Sequence, residues 1–164
     1  MKPIRVAVVG AGHLGRIHTR ILAGLPQFSL VAVVDPVAAS RDPLASQYSV
    51  RSLESHESLY GAVDAAVIAA PTPLHHRLAS DLLAHGIHLL VEKPITPREA
   101  EAAALVEAAR QSRVVLQVGH IERFNPAWSA MLPHVHDPKY IEAVRRGPYT
   151  FRSTDVGVVL DLMI

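Results

Sequence analysis

Short β-branched apolar runs alternate with stretches of helical spacing as far as residue 118, and this alternation restricts the fold more than any other feature. Val6, Ala7, Val8 and Val9 stop at Gly10, and Leu14, Ile17, Ile21, Leu22 and Leu25 then recur at the spacing of one helix face before Pro26. Residues 30–34 form a second run ending in Asp35, followed by a short helix and a minor strand around 48–51. The strand 65–70 is closed by Pro71 and Pro73, residues 74–85 read as a helix stopped by Gly86, and the strand 88–91 ends in Glu92, Lys93 and Pro94. Thr96 stands as an N-cap, with Pro97 as the first helical residue and Glu99 as its capping-box partner, and this Ala-rich helix runs to about Ser112. Residues 114–118 supply a sixth strand. Strands and helices alternating at every step imply parallel strands joined by right-handed crossovers, so the expected class is α/β with a doubly wound parallel sheet. Composition agrees: 49% of the 164 residues are hydrophobic but only 5% aromatic, the aliphatic bias of strands covered on both faces.

Gly10-Ala11-Gly12-His13-Leu14-Gly15 fits the pattern G-x-G-x-x-G. The pattern is weak alone, but here it follows a strand, opens a helix, and has Asp35 closing the next strand about twenty residues on. In that context it marks a dinucleotide-binding Rossmann sheet. Gly10 allows the tight turn, Gly12 lets the backbone approach a pyrophosphate, and Gly15 lets the helix sit close on the strand. The free N–H groups at the helix start hold the phosphate charge. A carboxylate at Asp35 accepts hydrogen bonds from ribose hydroxyls and repels a 2′-phosphate, which favours NAD over NADP; Arg41 is the residue that could instead reach such a phosphate.

Three further segments follow in order: Ala69-Ala70-Pro71-Thr72-Pro73-Leu74-His75, Glu92-Lys93-Pro94 and Gly119-His120-Ile121-Glu122-Arg123-Phe124-Asn125-Pro126. With the glycine turn they resemble the glucose–fructose oxidoreductase / inositol dehydrogenase / rhizopine catabolism family over the whole chain. The resemblance implies an N-terminal NAD(P)-binding Rossmann domain and a C-terminal mixed α/β domain with an open sheet and a sugar site. It implies that Lys93 sits by the nicotinamide and orients the substrate hydroxyl as a catalytic residue, and that Glu92 bonds cofactor ribose. Ala70, Pro71, Thr72 and His75 line the cofactor cleft in this reading, and the Lys93–Pro94 bond is cis. The family's catalytic Asp matches Asp161, while the histidine four residues later would fall just past Ile164. The chain is accordingly expected to bind cofactor without turnover. His120 stands where the family often has Asn or Gln. Within the family, the stretches around 120–126 and 153–162 are similar to bacterial enzymes that oxidise the 3-hydroxyl of UDP-N-acetylglucosamine. Other relatives are glycosidases that use bound NAD transiently, and a non-catalytic dinucleotide-binding module is a third reading.

After Gly119 the rhythm changes. A short helix over 125–132, prolines at 133, 138 and 148, a strand over 140–144 and an apolar end at 156–164 suggest three parts. These are a dinucleotide-binding domain over 1–120, a connecting helix and linker over 121–138, and the truncated start of a substrate domain over 139–164. Net charge is +1 with both signs interspersed, which does not suggest a nucleic-acid partner. No run approaches the ~18 apolar residues of a membrane helix. The apolar run after Lys2 and Arg5 is too short for a signal peptide, so a cytoplasmic location is expected. With no cysteine and only scattered histidines, no metal site is expected. The expected partner is a sugar or nucleotide-sugar, and the parent protein is expected to be a homo-oligomer through the open sheet of its second domain.

Overall fold

The computed structural model describes residues 2–144, 157, 159 and 160. Six parallel strands form one sheet: β1 (Ile4–Val9), β2 (Phe28–Val34), β3 (Arg51–Leu53), β4 (Ala65–Ile68), β5 (His88–Val91) and β6 (Leu116–Val118). Between them run α1 (His13–Ala23), α2 (Ala38–Gln47), α3 (Thr72–Ala84) and α4 (Glu99–Ser112), with a 3-10 turn at His56–Leu59. The strand order is β3-β2-β1-β4-β5-β6, and every pairing is parallel. This is the doubly wound Rossmann sheet that the alternation predicts. The order reverses between β1 and β4, opening a crevice at the carboxyl ends of the strands, the usual ligand position in such sheets.

Strand periodicity sorts the core into two layers. Ala7, Val9, Ala32, Val34, Ala66 and Ile68 face Leu78, Leu82 and Leu83 of α3 and Leu105 of α4. Val6, Val8 and Val67 face Leu22 of α1, and Val33 packs with Leu44 and Ala45 of α2. Leu82, Leu83 and Leu105 are fully buried, so truncating any of them to Ala would cost about 2–5 kcal/mol.

Several boundaries differ from the sequence reading for local reasons. Strand β3 starts at Arg51 because Ser49 takes a left-handed turn (φ 55°) and Val50 N–H still bonds Ala45 O at 3.0 Å. Helix α4 is capped at Arg98, not at Thr96. The buried Thr96 hydroxyl donates to Arg98 O at 2.7 Å, which holds the chain out of the helix for two more residues. Beyond β6 come a 3-10 turn (Ile121–Phe124), the short α5 (Pro126–Met131) and a further 3-10 turn (Leu132–His134). The strand expected over 140–144 does not form: a strand exists by pairing, and residues 140–144 lie beside no strand of the described sheet. Asp161 and most of the expected start of a second domain lie outside the described residues. Among the described residues no helix is long and apolar enough to cross a membrane.

Candidate functional site

The ends of β1, β2 and β4 meet around the glycine turn. Gly10 has φ +104°, and a Cβ there would stand 2.5 Å from Ala69 O, so the turn admits only glycine. Its N–H donates to Val34 O at 2.7 Å. A Cβ on Gly15 would fall 1.8 Å from Gly10 O, which measures how closely α1 is set against the turn. The buried Thr19 hydroxyl, donating to Gly15 O at 2.8 Å, fixes that approach one helical turn later. Gly12 is the opposite case, with nothing within 4 Å of where a Cβ would be. Helix α1 begins there with no side-chain cap and no acidic residue in its first turn. Its N-terminal N–H groups and positive dipole end are therefore left for an external anion. His13 is exposed and Leu14 half-buried; both contribute backbone to this edge.

Asp35, half-buried at the end of β2, is held by backbone on both oxygens: Oδ2 accepts from Ala11 N–H and Oδ1 from Val37 N–H, each at 2.8 Å. An ionised carboxylate has about four acceptor positions, so two bonds orient the group without exhausting it. Arg41 lies beside this edge, held to its backbone. Its Nη1 donates to Asp35 O and Pro36 O, both at 3.1 Å, and its Nε lies 3.4 Å from Asp42 Oδ1. The cleft beside these groups has a volume of about 570 Å³, within the range of small-molecule sites. One wall is Gly10, Gly12, Asp35, Pro36 and Val37; the other is Ala69, Ala70, Pro71 and Leu74, with Ser55, His56 and Arg77 at the outer end. His56 Nε2 lies 3.0 Å from Asp81 Oδ2. Behind it Tyr60 stacks on His85 at 3.5 Å, and burial beside Asp81 and Glu57 pushes the Tyr60 hydroxyl up from its usual range.

At the end of β5, Glu92 is buried, with Oε1 2.7 Å from His18 Nε2 and Oε2 accepting from Lys93 N–H at 3.3 Å. Gly119 leaves room for that carboxylate, since a Cβ there would come within 3.1 Å of Oε2. Lys93 is half-buried and its bond to Pro94 is cis. Gly10, Gly12, Asp35, Ala70 and Pro71 are thus brought together along the cleft, while Ala11 joins them through its N–H. Glu92 and Lys93 stand at the next strand end. Thr72 and His75 are buried and lie outside the cleft lining. The His75 ring sits between two carbonyl oxygens, with Nδ1 3.0 Å from Pro94 O and Nε2 2.8 Å from Ala70 O. Sequence reasoning missed His18, whose partner is 74 residues away; its place on α1 three residues after Gly15 is the only local signal. Among the described residues no group of three or more His, Cys, Asp or Glu could hold a metal ion.

Residues 4–120 match the family described as an oxidoreductase family with an NAD-binding Rossmann fold. The chain belongs to the glucose–fructose oxidoreductase / inositol dehydrogenase / rhizopine catabolism family. It is 38% identical over 162 residues to the UDP-N-acetylglucosamine 3-dehydrogenase of Acidithiobacillus ferrooxidans, covering 98% of this chain and 51% of that protein. A solved structure of that dehydrogenase superposes with a TM-score of 0.90 at 37% identity, covering 99% of this chain and 54% of the other. A protein of gentamicin A biosynthesis, solved in complex with NAD, matches at 31% identity and a TM-score of 0.70, over 73% of this chain and 35% of its own. The chain spans about half the length of the dehydrogenase, and residues 4–120 of it are a family NAD-binding Rossmann domain.

Proposed function

We propose that this chain is the cofactor-binding part of an NAD-dependent oxidoreductase acting on a sugar or nucleotide-sugar hydroxyl, the 3-hydroxyl of UDP-N-acetylglucosamine being the first candidate. One observation supports the cofactor reading above the rest. The open space at Gly12, the uncapped start of α1 and the oriented Asp35 carboxylate line one edge of a cleft at the sheet's switch point. These features suit the two charged or polar parts of a dinucleotide. The α1 N–H groups would hold the pyrophosphate and Asp35 the adenosine ribose hydroxyls. Preference for NAD over NADP is argued from the carboxylate at residue 35, which would accept from ribose hydroxyls and repel a 2′-phosphate.

When bound, NAD supplies a hydride acceptor. Lys93 would orient the substrate hydroxyl and share its proton, Glu92 would hold the turn that carries Lys93, and Asp161 would assist from the substrate side. The nucleotide-sugar assignment rests on likeness to the Acidithiobacillus dehydrogenase over 98% of this chain. A fluorescence titration with NADH and with NADPH, repeated on Asp35→Ala, tests the reading. Saturable binding that favours NADH, with that preference lost in the variant, is expected. Equal binding of both nucleotides by the unmodified chain would refute the role given to Asp35, and no binding of either would refute the cofactor reading. The chain incubated with NAD and UDP-N-acetylglucosamine is expected to show no rise in absorbance at the NADH band.

A further inference from the structure

Two histidines hold the Glu92-Lys93-Pro94 turn from opposite faces of the sheet. His18 stands on α1, which packs over Val6 and Val8, and its Nε2 meets Glu92 Oε1 at 2.7 Å. His75 stands on α3, which packs over Ala7, Val9 and Ile68, and its Nδ1 meets Pro94 O at 3.0 Å. Lys93 is thus flanked on each side by a residue tied to a different helix layer. The second ring nitrogen of His75 lies 2.8 Å from Ala70 O, beside the end of β4 on the other wall of the cleft.

Burial gives these contacts their weight. His75 is 1% exposed on a stripe of α3 otherwise formed by Leu78, Ala79 and Leu82. An apolar side chain would fill that place without desolvating two ring nitrogens, a cost that only hydrogen bonds offset. Glu92 is 4% exposed, and a buried carboxylate needs a donor. Neither histidine lines the cleft, so each acts through the residue it holds.

We propose that His18 and His75 are positioning residues, a two-sided clasp that sets where Lys93 stands at the mouth of the cofactor cleft. The proposal rests on the cofactor reading given above. If it holds, loosening the clasp disturbs the nicotinamide end of the site and leaves the adenosine end alone.

The test uses the 164-residue chain, NADH, and ADP-ribose, which lacks the nicotinamide. His18→Leu and His75→Leu are expected to weaken NADH relative to ADP-ribose by roughly five- to tenfold, the effect of one lost hydrogen bond in a buried setting. His18→Gln keeps a donor at the Nε2 position and His75→Asn keeps one at the Nδ1 position, so both are expected to restore the ratio to within about twofold. Without nucleotide, hydrogen exchange at the Lys93 amide is expected to quicken about tenfold in the leucine variants and not in the amide variants, by the same reasoning. Equal weakening of both ligands, or an unchanged ratio, overturns the clasp. So does unchanged exchange at Lys93. Failure of the unmodified chain to bind NADH would sink the cofactor reading instead, and the exchange measurement would still judge the clasp.

Discussion

The same substitution at two glycines of one motif is expected to have opposite effects. In Gly15→Ala the new Cβ would lie 1.8 Å from Gly10 O and 2.8 Å from Gly10 C, more than an ångström inside any normal approach to that oxygen. Both atoms are backbone, so no side chain can swing away. Helix α1 must retreat from β1 or the turn must open, and an overlap this deep with backbone takes the upper end of the overpacking cost, about 3 kcal/mol. Alanine recovers up to about 1 kcal/mol of helix propensity, which leaves a net loss of roughly 2 kcal/mol. For a domain of this size, each kcal/mol moves the melting temperature by about 2–4 °C. Gly15→Ala should therefore melt roughly 4–8 °C lower. Gly12→Ala meets nothing within 4 Å and keeps an extended φ of −72° that alanine accepts. Its poorer capping, about 0.5–1 kcal/mol, is offset by a similar loss of unfolded-chain entropy. Its melting temperature should stay within about 2 °C of the parent, while NADH affinity falls at least about tenfold because the methyl occupies the approach to the α1 N–H groups. Thermal unfolding followed by circular dichroism and NADH fluorescence titration measure both quantities. A Gly15→Ala chain as stable as the parent, or a Gly12→Ala chain that binds NADH unchanged, would refute the reasoning.

Asp35→Ser should move the ratio of NADH to NADPH affinity toward NADPH and also lower stability, since the Ala11 and Val37 N–H groups lose the oxygens that accept them; titration and thermal unfolding read the two effects separately. Thr19→Val removes the hydroxyl that bonds Gly15 O inside the core and should cost about 1 kcal/mol in urea unfolding. The exposed Asp64 carboxyl is held down to about 2 from 3.8 by the Arg5 side chain and backbone N–H. A carboxyl lowered in the folded state contributes stability that is present above its unfolded value and lost as pH falls through its folded one. Asp64→Asn should therefore flatten the part of the acid-unfolding curve between about pH 4 and pH 2, and an unaltered acid limb would contradict this.

What the sequence made legible was local. The valine run into Gly10 and the spacing to Asp35 are patterns within one βαβ unit, and the sheet follows from repeating them. Boundaries were read less well wherever a side chain competed with the backbone, as when Thr96 bonds Arg98 O and delays α4. The strand expected over 140–144 failed for a different reason, because apolar alternation alone does not supply a neighbour. Gly10, Gly12 and Asp35, singled out from one motif, come together at the cleft because that motif lies within one βαβ unit. His18 was not singled out, since its meaning lies in a carboxylate 74 residues away. His75 was singled out, yet its ring turns to two carbonyl oxygens instead of the cleft, and backbone acceptors leave no trace in composition.

The bond from Ala11 N–H to the Asp35 carboxylate has a consequence for how such a protein can change over generations. The side chain that would choose between two nucleotides is also a strut of the loop that would hold either one. A lineage that exchanged residue 35 to admit a 2′-phosphate would first pass through a slackened turn, losing grip on both cofactors before gaining the new one. A new acceptor for Ala11 N–H must therefore arise before, or together with, the new cation. A single replacement is expected to move the ratio only by weakening the binding of both nucleotides, and a firm grip on the second to come only by paired replacements.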